Sequence, residues 1–201
     1  QKALSQEAPC IILAGNPNVG KSTLFNALTG LHQKTGNWAG KTVACARGSF
    51  RFREKTIPVL DLPGTYSLQA RSAEEIIARD RIAAGTRDLL VVVCDASCLE
   101  RGLRFLKQIR DLGPRKPGRT ALCVNLCDEA ERNGIRIDFP LLAQTLNLPV
   151  IPCAARDRHS VRQLKEKLAQ LFLSPGCPLP AGCRNPEHQK NPELLPDFSP
   201  E

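Results

Sequence analysis

Lys21 and Ser22 close the run Gly15-Asn-Pro-Asn-Val-Gly20-Lys-Ser-Thr23, a G-x-x-x-x-G-K-S pattern. The chemistry of such a run is phosphate binding. Its glycines let backbone N–H groups curve around a di- or triphosphate. The lysine ammonium reaches the β- and γ-phosphates as a point charge, and the serine hydroxyl ligates magnesium. Further along comes Asp61-Leu-Pro-Gly64. There a carboxylate holds magnesium, usually through water, and the Gly64 N–H senses a γ-phosphate. Asn125-Leu-Cys-Asp128 is the third group. A carboxylate at Asp128 accepts from both N1–H and N2–H₂ of guanine, which adenine cannot match, so the expected nucleotide is GTP over ATP. Asn125 is expected to brace the phosphate loop and the base. The plainer reading, that Asn and Asp merely open a loop, is weaker because both lie downstream of a phosphate loop.

These groups need elements to position them. Ile11 to Ala14 reads as a buried strand and Thr23 to Leu28 as a helix closed by Gly30. That is the strand–loop–helix context a phosphate loop requires. The helix N-terminus adds partial positive charge behind the phosphates. Leu31 to Lys41 reads as a loop, Thr42 to Arg53 as a half-exposed strand with Gly48 marking a turn or bulge, and Thr56 to Leu60 as its antiparallel partner. Pro58 within it suggests an edge or a bulge. Ser72-Ala-Glu-Glu75 opens a helix to Ala84, stopped by Gly85. Strands at Leu89 to Cys94, Thr120 to Val124 and Pro149 to Cys153 alternate with helices. Those helices run from Leu99 to a stop at Gly113, from Ile137 to Leu146 with Asp138 as a cap, and onward from Ser160-x-x-Gln163. The expected fold is α/β: a mostly parallel six-stranded sheet with one antiparallel strand and helices on both faces. Ligands then bind at the carboxyl ends of the strands, where every motif above falls.

Composition bounds the rest. At 201 residues the prior is one domain with a tail. We read residues 1–173 as the nucleotide-binding domain. Residues 174–201, with seven prolines and no apolar period, read as a disordered linker. Cys177, Cys183 and His188 lie there in no strong zinc spacing. The net charge of +8 raises nucleic acid or an anionic surface as a partner, but the basic residues are scattered with few aromatics between them. Of nine cysteines, Cys10, Cys94, Cys123 and Cys153 sit in apolar runs as small hydrophobes, and an odd count argues against a disulfide framework. No signal peptide or membrane span is visible. With Gln1 first and no methionine, the chain is expected to be part of a longer protein.

The motifs together are more specific than the phosphate loop alone. The Gly15–Gly30 run, Thr35-Gly-Asn-Trp-Ala-Gly40-Lys-Thr-Val43, Asp61-Leu-Pro-Gly-Thr-Tyr-Ser-Leu68 and Asn125-Leu-Cys-Asp-Glu-Ala-Glu131 resemble the N-terminal GTPase domain of FeoB, the bacterial ferrous iron transporter. The resemblance spans about Ala8 to Phe172. It implies a P-loop GTPase of Ras-like fold that hydrolyses GTP with Mg²⁺ and K⁺. Thr42 would close on magnesium and the γ-phosphate, and Asn18 would hold potassium under a cap formed by Asn37 and Trp38. Magnesium would be held by Ser22, Thr42 and Asp61, and catalysis assigned to Lys21, Thr42 and Gly64. The nucleotide contacts would be Gly15, Asn16, Pro17, Asn18, Val19, Gly20, Lys21, Ser22 and Thr23. To these are added Gly40, Lys41, Thr42, Val43 and Ala44; Asp61, Leu62, Pro63 and Gly64; Asn125, Leu126, Cys127 and Asp128; and Cys153, Ala154 and Ala155.

Thr65 stands where Ras-like enzymes carry a water-orienting glutamine, so slow turnover driven by cations and backbone donors is expected. Lys41 replaces a small apolar residue and Ala154 a serine, leaving the Ala155 N–H as the expected base contact. Neither His32 nor His159 is assigned to iron, and Trp38 and Tyr66 can equally pack locally. The implied partners are GTP and GDP, with helical regulatory and transmembrane domains not recognisable in this chain; no nucleic acid is expected, and the sequence leaves a homo-oligomer open. The implied place is the cytoplasmic face of the bacterial inner membrane. Two other readings stand beside this one: a ribosome-assembly or RNA-associated GTPase, motivated by the charge, and a nucleotide-binding module with negligible hydrolysis, motivated by Thr65 and Ala154.

Overall fold

The computed structural model describes residues 8–30, 34–37, 44–84, 88–112 and 119–174. Expectations for His32, Trp38, Gly40 to Val43, Gly85, Gly113, Cys177, Cys183 and His188 lie outside them. The strands are β1 (Ile11–Gly15), β2 (Lys34–Asn37), β3 (Ala44–Phe52), β4 (Lys55–Asp61), β5 (Leu89–Asp95), β6 (Arg119–Asn125) and β7 (Val150–Pro152). The helices are α1 (Lys21–Thr29), α2 (Ala73–Ala84), α3 (Leu99–Arg110), α4 (Cys127–Arg132), α5 (Phe139–Leu146) and α6 (Arg158–Leu173). A 3-10 turn at Ala96–Cys98 leads into α3.

The strands form one sheet in the order β2-β3-β4-β1-β5-β6-β7. β1 lies parallel between β4 and β5, and β6 and β7 continue the parallel run. β3 pairs antiparallel with both neighbours, so it alone runs against the rest. The six expected strands and the one reversed strand are therefore present. β2 is additional and corrects the reading of Leu31 to Lys41 as loop throughout. It has no apolar alternation to betray it, and its register, Lys34↔Arg47 to Asn37↔Ala44, rests on backbone pairing at the sheet edge.

Both faces of the central strands are covered, which is why they read as unbroken apolar runs. Ile12, Ala14, Leu90, Val92, Leu122 and Val124 face one way, onto Ile77 and Ile82 of α2 and Phe105, Leu106 and Ile109 of α3. Ile11, Leu13, Val91, Val93 and Cys123 face the other, onto Leu24, Phe25 and Leu28 of α1 and Val161, Leu164 and Leu168 of α6. Each fully buried Val, Leu, Ile or Phe among them stabilises the fold by roughly 1.5–3 kcal/mol relative to exposure. Among the described residues no helix is long and apolar enough to cross a membrane.

Three local expectations change. Gly48 is neither turn nor bulge; it pairs with Val59 inside β3. A Cβ there would lie 2.7 Å from Thr29 Cγ2, so the glycine lets α1 approach the sheet. Pro58 is not on an edge strand, since β4 lies between β3 and β1, but the register with β1 begins only at Val59. Helix α6 begins before Ser160: Asp157 caps it, its carboxylate accepting from the His159 and Ser160 N–H groups at 3.1 and 2.9 Å.

Candidate functional site

The loop after β1 reaches α1 through two left-handed residues, Asn18 at φ 66° and Gly20 at φ 76°. Only at Gly20 is the space closed as well: a Cβ would lie 2.5 Å from Asn125 Nδ2. No acidic residue occupies the first turn of α1, so no carboxylate competes there for its N–H groups.

Lys21 is 7% exposed and its ammonium donates to Asp61 Oδ1 and to the Leu62 carbonyl, each at 2.5 Å. β1 and β4 are adjacent parallel strands, so the phosphate-loop lysine and the strand-end aspartate meet by topology. Burial pushes the Asp61 carboxyl above its ordinary range, and the Lys21 ammonium opposes that rise through charge and hydrogen bond. The cation and the carboxylate thus compensate one another in a nearly dry setting.

Asn125 ends β6 and is fully buried. Its Nδ2 donates to the Val19 carbonyl at 3.0 Å, and its Oδ1 accepts from the Ala155 N–H at 3.1 Å. One side chain therefore ties the phosphate loop to the loop after β7. The Ala155 N–H expected to contact the base is engaged by Asn125. The Ala154 N–H donates to Ser160 Oγ at 2.9 Å, so a hydroxyl from α6 serves the loop that lacks its own serine. Leu126 adopts a left-handed φ of 63°, turning the chain sharply into α4. Asp128 sits in the first turn of α4, partly exposed, and accepts from Arg132 Nη2 at 3.1 Å. Cys127 N–H donates to the Cys153 carbonyl at 3.2 Å, closing the two loops on each other.

Four of the five groups of expected contacts are thus gathered at the carboxyl ends of β1, β4, β6 and β7. In the fifth, Gly40 to Val43 lie outside the described residues; Ala44 enters β3 opposite Asn37. Sequence reasoning missed two contacts that join these loops. Asn16 Nδ2 donates to the Thr65 carbonyl at 3.2 Å, and Gln108 Oε1 on α3 accepts from the Leu68 N–H at 2.8 Å. No spacing rule signals either, since the partners are 49 and 40 residues apart. Among the described residues, Cys45, Cys94, Cys98, Cys123, Cys127 and Cys153 carry free thiols. Burial pushes the Cys94 thiol well up, away from nucleophilic use.

The donor types suit a hard divalent cation. Ser22 offers an exposed hydroxyl at the start of α1, and Asp61 a carboxylate at the end of β4; oxygen donors of this kind match Mg²⁺. Asn18 is exposed in its left-handed position, with an amide oxygen of the type that ligates a monovalent cation. Among the described residues no cluster of three His, Cys, Asp or Glu side chains forms a metal site.

Comparison with known proteins places this geometry. A family model described as ferrous iron transport protein B matches residues 10–168. The Fe(2+) transporter FeoB of Shigella flexneri is 45% identical over 157 residues, which are 76% of this chain and 20% of that protein. The chain thus spans about a fifth of the length of the curated relatives it matches. The G domain of the T. maritima FeoB iron transporter superposes with a TM-score of 0.73 at 38% identity, over 81% of this chain and 98% of that one. The cytosolic domain of the same transporter in its GMPPNP form gives 0.76 at 37% identity, over 86% and 67%.

Proposed function

The chain belongs to the ferrous iron transport protein B family, through its N-terminal G domain, and from that premise we propose that it binds GTP, hydrolyses it slowly to GDP and phosphate, and regulates Fe(II) passage through a membrane domain of the longer protein. The observation that carries this reading is Asn125, which fastens the phosphate loop at Val19 and the base loop at Ala155 into one unit. A nucleotide held at both ends by one rigid frame loses less entropy on binding than one held by two independent loops.

The roles follow from the residue types. Lys21 neutralises the β- and γ-phosphates, the Gly64 N–H meets the γ-phosphate, and Asp128 reads the guanine edge. Ser22 and Asp61, with Thr42, would hold Mg²⁺, and Asn18 would hold K⁺. When bound, the two cations supply positive charge where the γ-phosphoryl group and the leaving oxygen gain negative charge. Water adds to the γ-phosphorus, the bridging P–O bond breaks with its electron pair going to GDP, and the water's proton passes to an oxygen of the released phosphate. Thr65 brings no general base, so charge stabilisation and backbone positioning do the remaining work. The helical and transmembrane domains implied by the family are the partners through which turnover would be read out, at the cytoplasmic face of the membrane.

The test is GTP turnover with Mg²⁺ in potassium and in sodium. The expected outcome is release of phosphate that is faster in potassium, with the gain lost in Asn18→Ala. Equal rates in the two salts would remove the potassium role. Phosphate release at background with potassium present would remove hydrolysis and leave a nucleotide-binding module.

A further inference from the structure

We propose that Asn16 is a positioning residue for hydrolysis: its side-chain amide, with the Gly15 carbonyl, clips the Thr65 peptide to the phosphate loop and so sets where the Asp61–Gly64 turn stands over the γ-phosphate. This rests on the GTPase reading above.

The clip has two bonds of opposite polarity. The Thr65 N–H donates to the Gly15 carbonyl at 3.2 Å, and the Thr65 carbonyl accepts from Asn16 Nδ2 at 3.2 Å. One residue thus has both backbone groups held by consecutive residues of the phosphate loop. Asn16 is 4% exposed and Thr65 5%, so water does not compete for either bond. Asn16 Oδ1 is buried and has no hydrogen-bond partner among the described residues. The Thr65 bond is then what orients the amide. Packing adds to the clip: a Cβ on Gly64 would lie 3.2 Å from Pro17 Cα, so the turn rests directly on the loop's backbone. The Thr65 hydroxyl, for its part, is turned away, donating to the Ser67 carbonyl at 2.8 Å.

The consequence is chemical. Thr65 occupies the place from which a glutamine side chain would orient water, and its own side chain is committed elsewhere. What remains for positioning is the peptide itself, and peptide position governs rate because the reacting groups must stay aligned. Asn16 therefore acts through Thr65 and not by touching the reacting atoms. A residue that only stabilised the fold would change melting temperature and nucleotide affinity together. A residue that sets the turn lowers kcat and leaves the ground-state complex alone.

The experiment compares wild type with Asn16→Ala, which removes the donor, and Asn16→Asp, which keeps the shape but turns the donor into an acceptor facing a carbonyl. GTP turnover is measured in Mg²⁺ and potassium, and GDP affinity by fluorescence titration. The expected result is a fall in kcat of about three- to tenfold in Asn16→Ala, the size of one lost neutral hydrogen bond. The phosphates would meet Asn16 through its backbone N–H, which the substitution keeps, so KM and GDP affinity should stay within about twofold, and the ratio of potassium to sodium rates should be unchanged. Should Asn16→Asp fail to fold, Asn16→Ala decides alone. Unchanged kcat in a folded Asn16→Ala, or a loss carried by KM and GDP affinity, overturns the clip while leaving the GTPase reading intact. Wild type without turnover overturns both.

Discussion

At the scale of single residues, the proposed base choice rests on one carboxylate. Asp128 is partly exposed at the first turn of α4, and its only neighbour of opposite charge among the described ion pairs is Arg132. Asparagine at this position still accepts from Arg132 Nη2, so α4 keeps its side-chain contact. What changes is the edge shown to the base: one acceptor oxygen becomes a donor amide, which meets the N2–H₂ of guanine unfavourably and the 2-oxygen of xanthine favourably. Each hydrogen bond to a charged group is worth about 1.5–3 kcal/mol. Asp128→Asn is therefore expected to weaken GTP by roughly two to three orders of magnitude and to favour xanthosine triphosphate. Competition between the two nucleotides for the purified variant checks this. An unchanged guanine preference would reassign base recognition to another residue.

At the scale of elements, the buried pair Arg81–Asp88 pins three of them together. Arg81 on α2 donates to Asp88 Oδ2 at 2.6 Å, and Asp88 Oδ1 accepts from the Cys10 N–H at 2.8 Å just before β1. Both side chains are about 5% exposed. Asp88→Ala takes the compensating carboxylate from a buried guanidinium, so it should cost about 3–5 kcal/mol by urea denaturation. The double change Arg81→Met with Asp88→Leu should recover most of that, because it strands no charge. A single variant as stable as wild type would show the pair to be dispensable. This pin was not legible in the sequence, and the reason is general to what was and was not read. β1, β5 and β6 announced themselves because burial on both faces demands unbroken apolar runs. The stripe of Val161, Leu164 and Leu168 announced α6 in the same way. The start of α6 was misread because Asp157 and Ser160 are both capping types. The carboxylate took the N–H groups and left the Ser160 hydroxyl for Ala154. β2 was missed because an edge strand held by backbone pairing needs no pattern. At the site, the place of Asn125 at the end of a core strand suggests a brace, and its bond to the Val19 carbonyl agrees with the phosphate-loop half of that expectation. The Asn16–Thr65 clip was not read, since nothing local distinguishes that asparagine from a loop residue.

At the scale of the whole molecule, the site is a seam and not a pocket in one element. Its loops issue from β1, β4, β6 and β7, which span most of the sheet, and Asn125 and the Lys21–Asp61 pair join them across it. A ligand that touches all of these loops at once is linked to global unfolding, because no one loop can be released while the rest of the fold holds it. Binding to the native state alone stabilises by about 2.7 kcal/mol at a ligand concentration of 100 Kd. For a domain of this size that corresponds to roughly 5–10 °C in Tm. GDP with Mg²⁺ is therefore expected to raise the thermal midpoint by that amount and ATP to leave it unchanged, since adenine offers Asp128 no pair of donors. The same scan in Asp128→Asn should lose the GDP shift while keeping the midpoint of the unliganded protein. A midpoint indifferent to GDP would mean that the seam does not close on guanine nucleotide. An equal shift with ATP would mean that it grips phosphate without reading the base.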